Sequence, residues 1–472
     1  MAPFIGILLL LLSFGVVATI FAGEKASKTV ASVFSLLALA VVVAAFLYML
    51  HTGSMNYAEN YSYYITQPSI SLGFQFSPIS FVLVLMASIV SFVTLLSGNV
   101  ENENRKLSSA LILLFELAAI GLFTSGNLFL LFIFWDVGVI SLFFMIYMLG
   151  SSNRRRAAVK FLIYELFASL ALLFAIMLVY FYTPLHSFDI QYIIANAGLI
   201  PPPVQALIFS SFFIAFLINM PVFPAHLWLP DAHTEASTQG SMLLSGILTK
   251  FGGYGMLLTF FMMPIATHLE VPIAVLAGFS AIYAVFVLMT QHDIKRIIAY
   301  STIVEMSIIL VAIASFNQFG ISGAAYGMLA HGLTIAMLFL AAGSIGHMFA
   351  ERDIRNLRGV VRNALSTSYT FLAGVFATTG VPLTAAFVAD VLIFMGAIKT
   401  FSIYGAIPLA AILLLGAFLY YVVNKSILST KEYSSNPRFI GGSQKAGYAI
   451  LLSSIFIFGV LPFLLLNFFS NI

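Results

Sequence analysis

Ile218-Asn219-Met220-Pro221-Val222-Phe223-Pro224 places two prolines inside a long apolar run. Proline removes a backbone donor and collides with the preceding turn, so a helix here should unwind locally. Unpaired backbone groups at membrane depth are tolerated where they line a hydrated cavity. A second interruption, Thr379-Gly380-Val381-Pro382-Leu383-Thr384, falls in another apolar run. One proline in a membrane helix can be a simple kink. Two interruptions five spans apart are the arrangement of repeated halves, with transport sites near the discontinuous helices.

The runs around them define the class. The chain has 472 residues, 61% hydrophobic and 8% charged, too few polar residues to cover a soluble core of that length. Apolar runs of about 18 or more residues recur throughout, so the chain is expected to be an all-α polytopic membrane protein. Its spans number about fourteen, the seventh (205–226) and twelfth (367–394) being broken. The first could be read as a cleaved signal, but no basic segment precedes it and a second span follows directly. The expected organisation is three N-terminal helices (1–107), a first inverted five-helix repeat (108–262), a second (263–430) and a last helix (431–472). An odd number of helices per repeat inverts the copies in the membrane.

Charge distribution gives an orientation. Lys25, Lys28, Arg105, Lys106, Arg154, Arg155, Arg156, Lys160, Lys295, Arg296, Arg352, Arg355, Arg358, Arg362, Lys425, Lys431, Arg438 and Lys445 fall at one side; Lys399 lies opposite. The positive-inside rule makes the basic side cytoplasmic and both termini external. The chain has no cysteine, which excludes disulfides, haem thioether links and cysteine-ligated iron–sulfur clusters. No dinucleotide fingerprint or paired haem histidines appear, so no redox cofactor is expected in this chain, and nothing points to nucleic acid.

Four ionisable residues lie deep inside spans: Asp136, Lys250, Glu305 and Asp390. The first three sit roughly 13–18 Å into their helices, about half of a ~30 Å hydrocarbon core. A charge there costs on the order of 3 kcal/mol or more, so such groups face a polar interior and have partners. Acids and a base on separate helices suit the movement of protons or small cations. Lys250 follows Gly246-Ile247-Leu248-Thr249 and precedes Gly252-Gly253, glycines that let another helix approach. A static ion pair of Lys250 with Glu305 or Asp136 is the structural alternative. His331 is suited to relaying protons, although buried histidines often serve structure alone. Glu116 and Glu165 lie nearer span ends and either extend the relay or face interior water. His226, Asp231, His233 and Glu235 look like a metal cluster, but their spacing is that of a loop, and acids before a helix start more simply cap it.

Several segments resemble a known family. Phe134-Trp135-Asp136, Asn219-Met220-Pro221, Trp228-Leu229-Pro230-Asp231-Ala232-His233-Thr234-Glu235-Ala236, Gly246 to Lys250 with Tyr254-Gly255, Asp293 to Ser301 and Ala330-His331-Gly332-Leu333 are similar to the antiporter-like subunits of respiratory complex I and to Mrp-type cation/proton antiporters. The acid Asp390 on the broken twelfth span resembles the subunit M branch of NADH-quinone oxidoreductases. The resemblance runs from about residue 70 to the C-terminus and implies fourteen helices with two inverted repeats. It implies that Asp136, Lys250 and Asp390 occupy relay positions, with Asn219 standing where the family has a lysine and Glu305 where histidine is common. Lacking that lysine, Asp136 has lost the partner that favours its ionised form, and conduction is expected to be modified or weaker.

The resemblance further implies a proton-translocating subunit of a redox-driven NADH/quinone oxidoreductase in a prokaryotic plasma membrane. Quinone, flavin and iron–sulfur clusters would belong to partner membrane and peripheral subunits. Sodium is the alternative ion. A Mrp-type antiporter, a membrane-bound hydrogenase and a structural subunit with a degenerate channel are the alternative settings.

Overall fold

The computed structural model describes residues 3–53, 56–66, 69–98, 104–429 and 439–469. Lys431 and Arg438 of the basic set, and the expected boundary at 430/431, lie outside the described residues. The helices are α1 (Phe4–Phe21), α2 (Glu24–Thr52), α3 (Pro78–Ser97), α4 (Arg105–Thr124), α5 (Leu128–Leu149), α6 (Arg154–Tyr182), α7 (Ile190–Asn196), α8 (Pro202–Asn219), α9 (Trp228–Glu235) and α10 (Thr238–Leu243). They continue as α11 (Thr249–Met262), α12 (Glu270–Met289), α13 (Ile294–Ala314), α14 (Gln318–Phe349), α15 (Val360–Asn363), α16 (Leu365–Thr378), α17 (Ala385–Phe401), α18 (Ile407–Val422), α19 (Gly442–Val460) and α20 (Phe463–Phe469).

Thirteen helical stretches among the described residues are long and apolar enough to cross a membrane. One of them, 385–427, turns at Ser402, whose φ is +53°, and so holds two segments. Leu365–Thr378 is too short to cross alone and precedes α17 across the second break.

Local chemistry sets the helix starts. Asn127, Asp293 and Asn317 accept backbone N–H groups of Phe129, Lys295 and Gly320 at 2.8, 2.9 and 3.0 Å, capping α5, α13 and α14. Both breaks occur where the prolines demand. After α8 the chain runs irregularly to α9, and the Trp228 indole N–H donates to the Ile218 carbonyl at 2.9 Å. That bond satisfies an acceptor the interrupted helix leaves open. Between α16 and α17, Gly380 takes φ +64°, and Thr384 caps α17 through the Phe387 N–H.

Two features exceed the sequence reading. The connection before α3 contains a hairpin, β1 (Tyr57–Thr66) paired antiparallel with β2 (Ser69–Phe76), in register Tyr57 with Phe76 and Glu59 with Phe74. Glu59 accepts the Ile5 and Gly6 N–H groups, both at 2.9 Å, and ties the hairpin to the start of α1. Between α10 and α11 a π-helical turn, Leu244–Leu248, sits immediately before Thr249-Lys250. Such turns widen a helix by one residue and are frequent at functional sites.

α11, α13 and α14 are buried on almost every face, whereas α1, α2 and α6 keep apolar side chains exposed toward the surroundings. The basic connections meet at one end of the bundle. There Lys28 donates to the Gly98 carbonyl at 2.8 Å, Lys295 to the Ala236 carbonyl at 2.7 Å and Arg352 to the Thr234 carbonyl at 2.8 Å.

α14 and α17 meet backbone to backbone. A Cβ on Gly396 would lie 2.6 Å from the Gly320 nitrogen, and one on Gly323 would lie 2.8 Å from the Ile393 nitrogen. Small residues allow this approach in membranes. Gly396→Leu should therefore lower stability by about 1–3 kcal/mol through overpacking. A melting temperature of the purified protein equal to wild type would contradict that seam.

Candidate functional site

Lys250 is the centre of the site. Its side chain is fully buried. The amine donates to the Ser245 carbonyl, which the π-turn leaves in reach, and to the Thr249 hydroxyl at 3.3 Å. It also shares a hydrogen with His331 Nδ1 on α14 at 2.6 Å. None of the three partners is a carboxylate. The ion pair with Glu305 that the sequence left open is not formed. Glu305 on α13 instead faces the far side of the imidazole, with its Oε2 4.0 Å from His331 Nε2.

Beyond His331 lies a small cavity lined by Glu305, His331 and Asp390, with Gly327, Thr378 and Ile412 among its walls. It leaves about 20 Å³ for the centre of a water molecule, room for one or two waters. The Asp390 carboxylate rests against Gly380 in the second break, where any Cβ would collide with it. Four helices thus converge beside the second break: α11 supplies Lys250, α14 His331, α13 Glu305, and α17 Asp390.

A second polar group surrounds Asp136. Its Oδ1 accepts the Ser169 hydroxyl at 2.6 Å. One turn earlier on α6, Glu165 is fully buried, and both its oxygens accept the Asn219 side-chain amide, at 3.2 and 3.4 Å. Asn219 Oδ1 in turn accepts the Gly252 N–H at 2.8 Å, two residues beyond Lys250. α4 and α6 begin at Arg105 and Arg154, each three residues before the starts of 108 and 157 that the apolar runs suggest. Glu116 and Glu165 are therefore deeper than expected. Glu165 joins the site at the position of the missing lysine. Glu116 does not: it faces Ser35 of α2, and neither group reaches hydrogen-bond geometry.

No side-chain hydrogen bond among the described residues joins the Asp136 group directly to the Lys250 group. Trp135 packs on Phe216 and Phe251, with centroids 5.8 and 6.1 Å apart, and its indole N–H has no partner. The connection is the bond that the Gly252 backbone N–H donates to the Asn219 side-chain Oδ1.

Sequence reasoning missed a third element. His233, expected only near a capping loop, is fully buried, stacks on Phe339 and shares a hydrogen with Ser245 Oγ at 2.7 Å. The Thr302 hydroxyl donates to that same Ser245 oxygen at 3.1 Å. The line His233–Ser245–Lys250 approaches from the basic end, where Lys295 is buried against Ala236. The spacing of His233 to Ser245 spans two helices and a π-turn, so periodicity could not pair them. No group of three or more metal-ligating side chains occurs among the described residues.

Residues 125–418 match the family model described as NADH:quinone oxidoreductase/Mrp antiporter, TM. NADH-quinone oxidoreductase subunit M of Rickettsia felis is 32% identical over 396 residues, covering 82% of this chain and 80% of that one. In structure the chain is similar to one in respiratory complex I of Thermus thermophilus, with a TM-score of 0.89 and 22% identity over 99% of both chains. It is also similar to a chain of the archaeal membrane-bound sulfane sulfur reductase, with a TM-score of 0.88 and 22% identity, covering 99% of this chain and 96% of that one.

Ser245→Ala would leave His233 Nε2 and the Thr302 hydroxyl without their shared partner in a buried setting. A loss of about 1–3 kcal/mol is expected. Denaturation of the detergent-solubilised variant at the wild-type midpoint would show that the serine contributes nothing.

Proposed function

The chain belongs to the NADH:quinone oxidoreductase/Mrp antiporter transmembrane family, and on that premise we propose that it translocates protons as a membrane subunit of a redox-driven, complex-I-like assembly. The observation that carries this reading is the line of titratable groups from Lys250 through His331 and Glu305 to the cavity shared with Asp390. Electrons pass through quinone, flavin and iron–sulfur centres in other subunits. The basic end is cytoplasmic, and both termini are external.

Protons enter from the basic end by way of His233 and the Ser245 and Thr302 hydroxyls, and a bridging water carries them to Lys250, which meets Ser245 only at its backbone carbonyl. The amine hands a proton to His331 Nδ1. The imidazole releases one from Nε2 toward Glu305, the two ring nitrogens serving as entry and exit. The 4.0 Å gap to Glu305 is longer than a hydrogen bond, so transfer there takes a bridging water or a carboxylate rotation. Asp390, beside the unwound stretch at Gly380, passes the proton to the opposite side. Direction requires that the driving state of the partners favour one occupancy of Lys250 over another.

The Asp136 group couples this line to its neighbours. The Gly252 N–H orients the Asn219 amide, so its NH₂ faces the Glu165 carboxyl. A change in the charge of Glu165 therefore acts on a bond anchored beside Lys250. Coupling passes by electrostatics and a hydrogen-bond latch, not by a lysine shuttling between the acids. Asp136, held by Ser169, adds its charge to the same carboxyl cluster.

A second reading is exchange of sodium for protons without a redox partner. It draws on the oxygen-rich set of Asp136, Ser169 and Glu165, which has no cationic side chain at position 219. Sodium-dependent proton flux in vesicles lacking electron donors would favour it. A structural subunit with a degenerate channel would instead lose assembly, and keep transport, when Asp136 and Lys250 are replaced.

Lys250→Ala should lower proton translocation by about 100-fold, the scale of a lost acid–base group, while electron transfer through the partners continues in part. An unchanged proton yield per electron removes the mechanism. Glu165→Gln keeps an oxygen for the Asn219 amide but not the charge. It should cut the proton yield while the melting temperature holds. Equal loss of both would reduce Glu165 to a packing role.

A further inference from the structure

At the basic end, α6, α9 and α13 enclose a recess of about 340 Å³ lined by Arg156, Lys160, Asp231, Glu235 and Arg296. Its internal charges are only partly paired. Asp231 is shared between Lys160, at 2.7 Å, and Arg296, at 3.4 Å. Glu235 is occupied by the Asn153 N–H at 2.9 Å. The Arg296 Nε is buried without a hydrogen-bond partner, and Arg156 is exposed with no ion pair among the described residues. Three cations against two anions leave one positive charge, carried mainly by Arg156 and the open edge of Arg296. Guanidinium groups hold phosphate oxygens in forked geometry.

Beside the recess, the first helix break packs on both α6 and α12. Phe223 of the break packs on Phe279 and Tyr283 of α12 at 5.2 and 5.1 Å, and Trp228 packs on Phe161 of α6 at 5.3 Å. Leu227 in the break, Ile163 and Phe167 on α6, and Phe279 and Phe286 on α12 present exposed apolar surface. On α6, Arg156, Val159, Ile163 and Phe167 recur at helical spacing, so the charge stands directly above the apolar stripe.

We propose that this recess and the exposed apolar surface beside it bind one anionic phospholipid, its phosphate on Arg156 and Arg296 and an acyl chain lying against Leu227 in the broken helix. Basic pockets between transmembrane helices suit acidic headgroups. The net positive charge of the recess matches a phosphodiester and disfavours a headgroup that adds a cation. The lipid would touch the discontinuity that positions Asn219 and α9, and so would brace the break from the membrane side.

The test uses the full chain purified from membranes with its accompanying subunits. Retention of phosphatidylglycerol is compared with that of phosphatidylcholine bearing the same chains, by native mass spectrometry and by titration after delipidation. Phosphatidylglycerol should be preferred. Arg156→Gln should weaken it about fivefold, and the double change with Arg296→Gln about 25-fold, taking about 1 kcal/mol per basic group. Inorganic phosphate should fail to displace it, since the chain contact would be missing. Equal binding of the two lipids, or unchanged affinity in the double variant, overturns the site. So does displacement by phosphate alone, which would mark a free-anion site. A crosslinker at Leu227 that captures a neighbouring subunit in place of lipid would overturn it too. If the double variant fails to fold, the single Arg156 variant, whose side chain is exposed, decides alone.

Discussion

The hydrogen bond between Lys250 and His331 is the contact on which the interior is organised. A primary amine buried at mid-membrane must find acceptors, because lipid offers none. Here the π-turn before Lys250 exposes the Ser245 carbonyl, and α14 delivers the imidazole. Both come from backbone that is itself buried and tightly packed. The amine is thereby held without a carboxylate in contact, the nearest acid lying one residue further along the line. This differs from a static salt bridge, in which an acid in contact would fix the charge. On the proposed reading, such a line gives each protonated group a neighbour to receive the proton.

Two discontinuities give that line its ends. Where α8 stops at Asn219, the Trp228 indole and the Ser280 hydroxyl take up freed backbone groups. Where α16 stops, Gly380 turns through a conformation that suits glycine, and the Asp390 carboxylate occupies the space a side chain would have filled. At the first break polar side chains close the gap; at the second a carboxylate moves into it. The two breaks therefore hold different chemistry, amide on one side and acid on the other.

Much of this was legible before any coordinates. Proline inside an apolar run states a break outright, and Lys250, Asp136 and Asp390 declare themselves because charge in lipid demands a reason. The basic loops could be assigned to one end because orientation is a summed property of many residues. Less legible was whatever tertiary packing decides. The hairpin at 57–76 alternates too weakly to stand out, and Glu59 binds a helix start 53 and 54 residues away. The π-turn has no composition of its own. Ser245 and His233 meet only because that turn rotates one helix against another. Glu165 lies deeper than the sequence reading has it because its helix begins at Arg154 and takes in three arginines ahead of the apolar run.

The glycine seam between α14 and α17 bears on how the line can be gated. His331 and Asp390 ride on two helices whose backbones approach closely at Gly320, Gly323 and Gly396. Such a seam acts as a keel: it resists changes in the spacing of the two helices. Opening and closing of the step between imidazole and carboxylate then falls to rotamer flips and water exchange, which run in picoseconds to nanoseconds when unhindered. A pump built this way could keep its frame rigid while its wiring switches, and the slow step would lie in the partners that drive it.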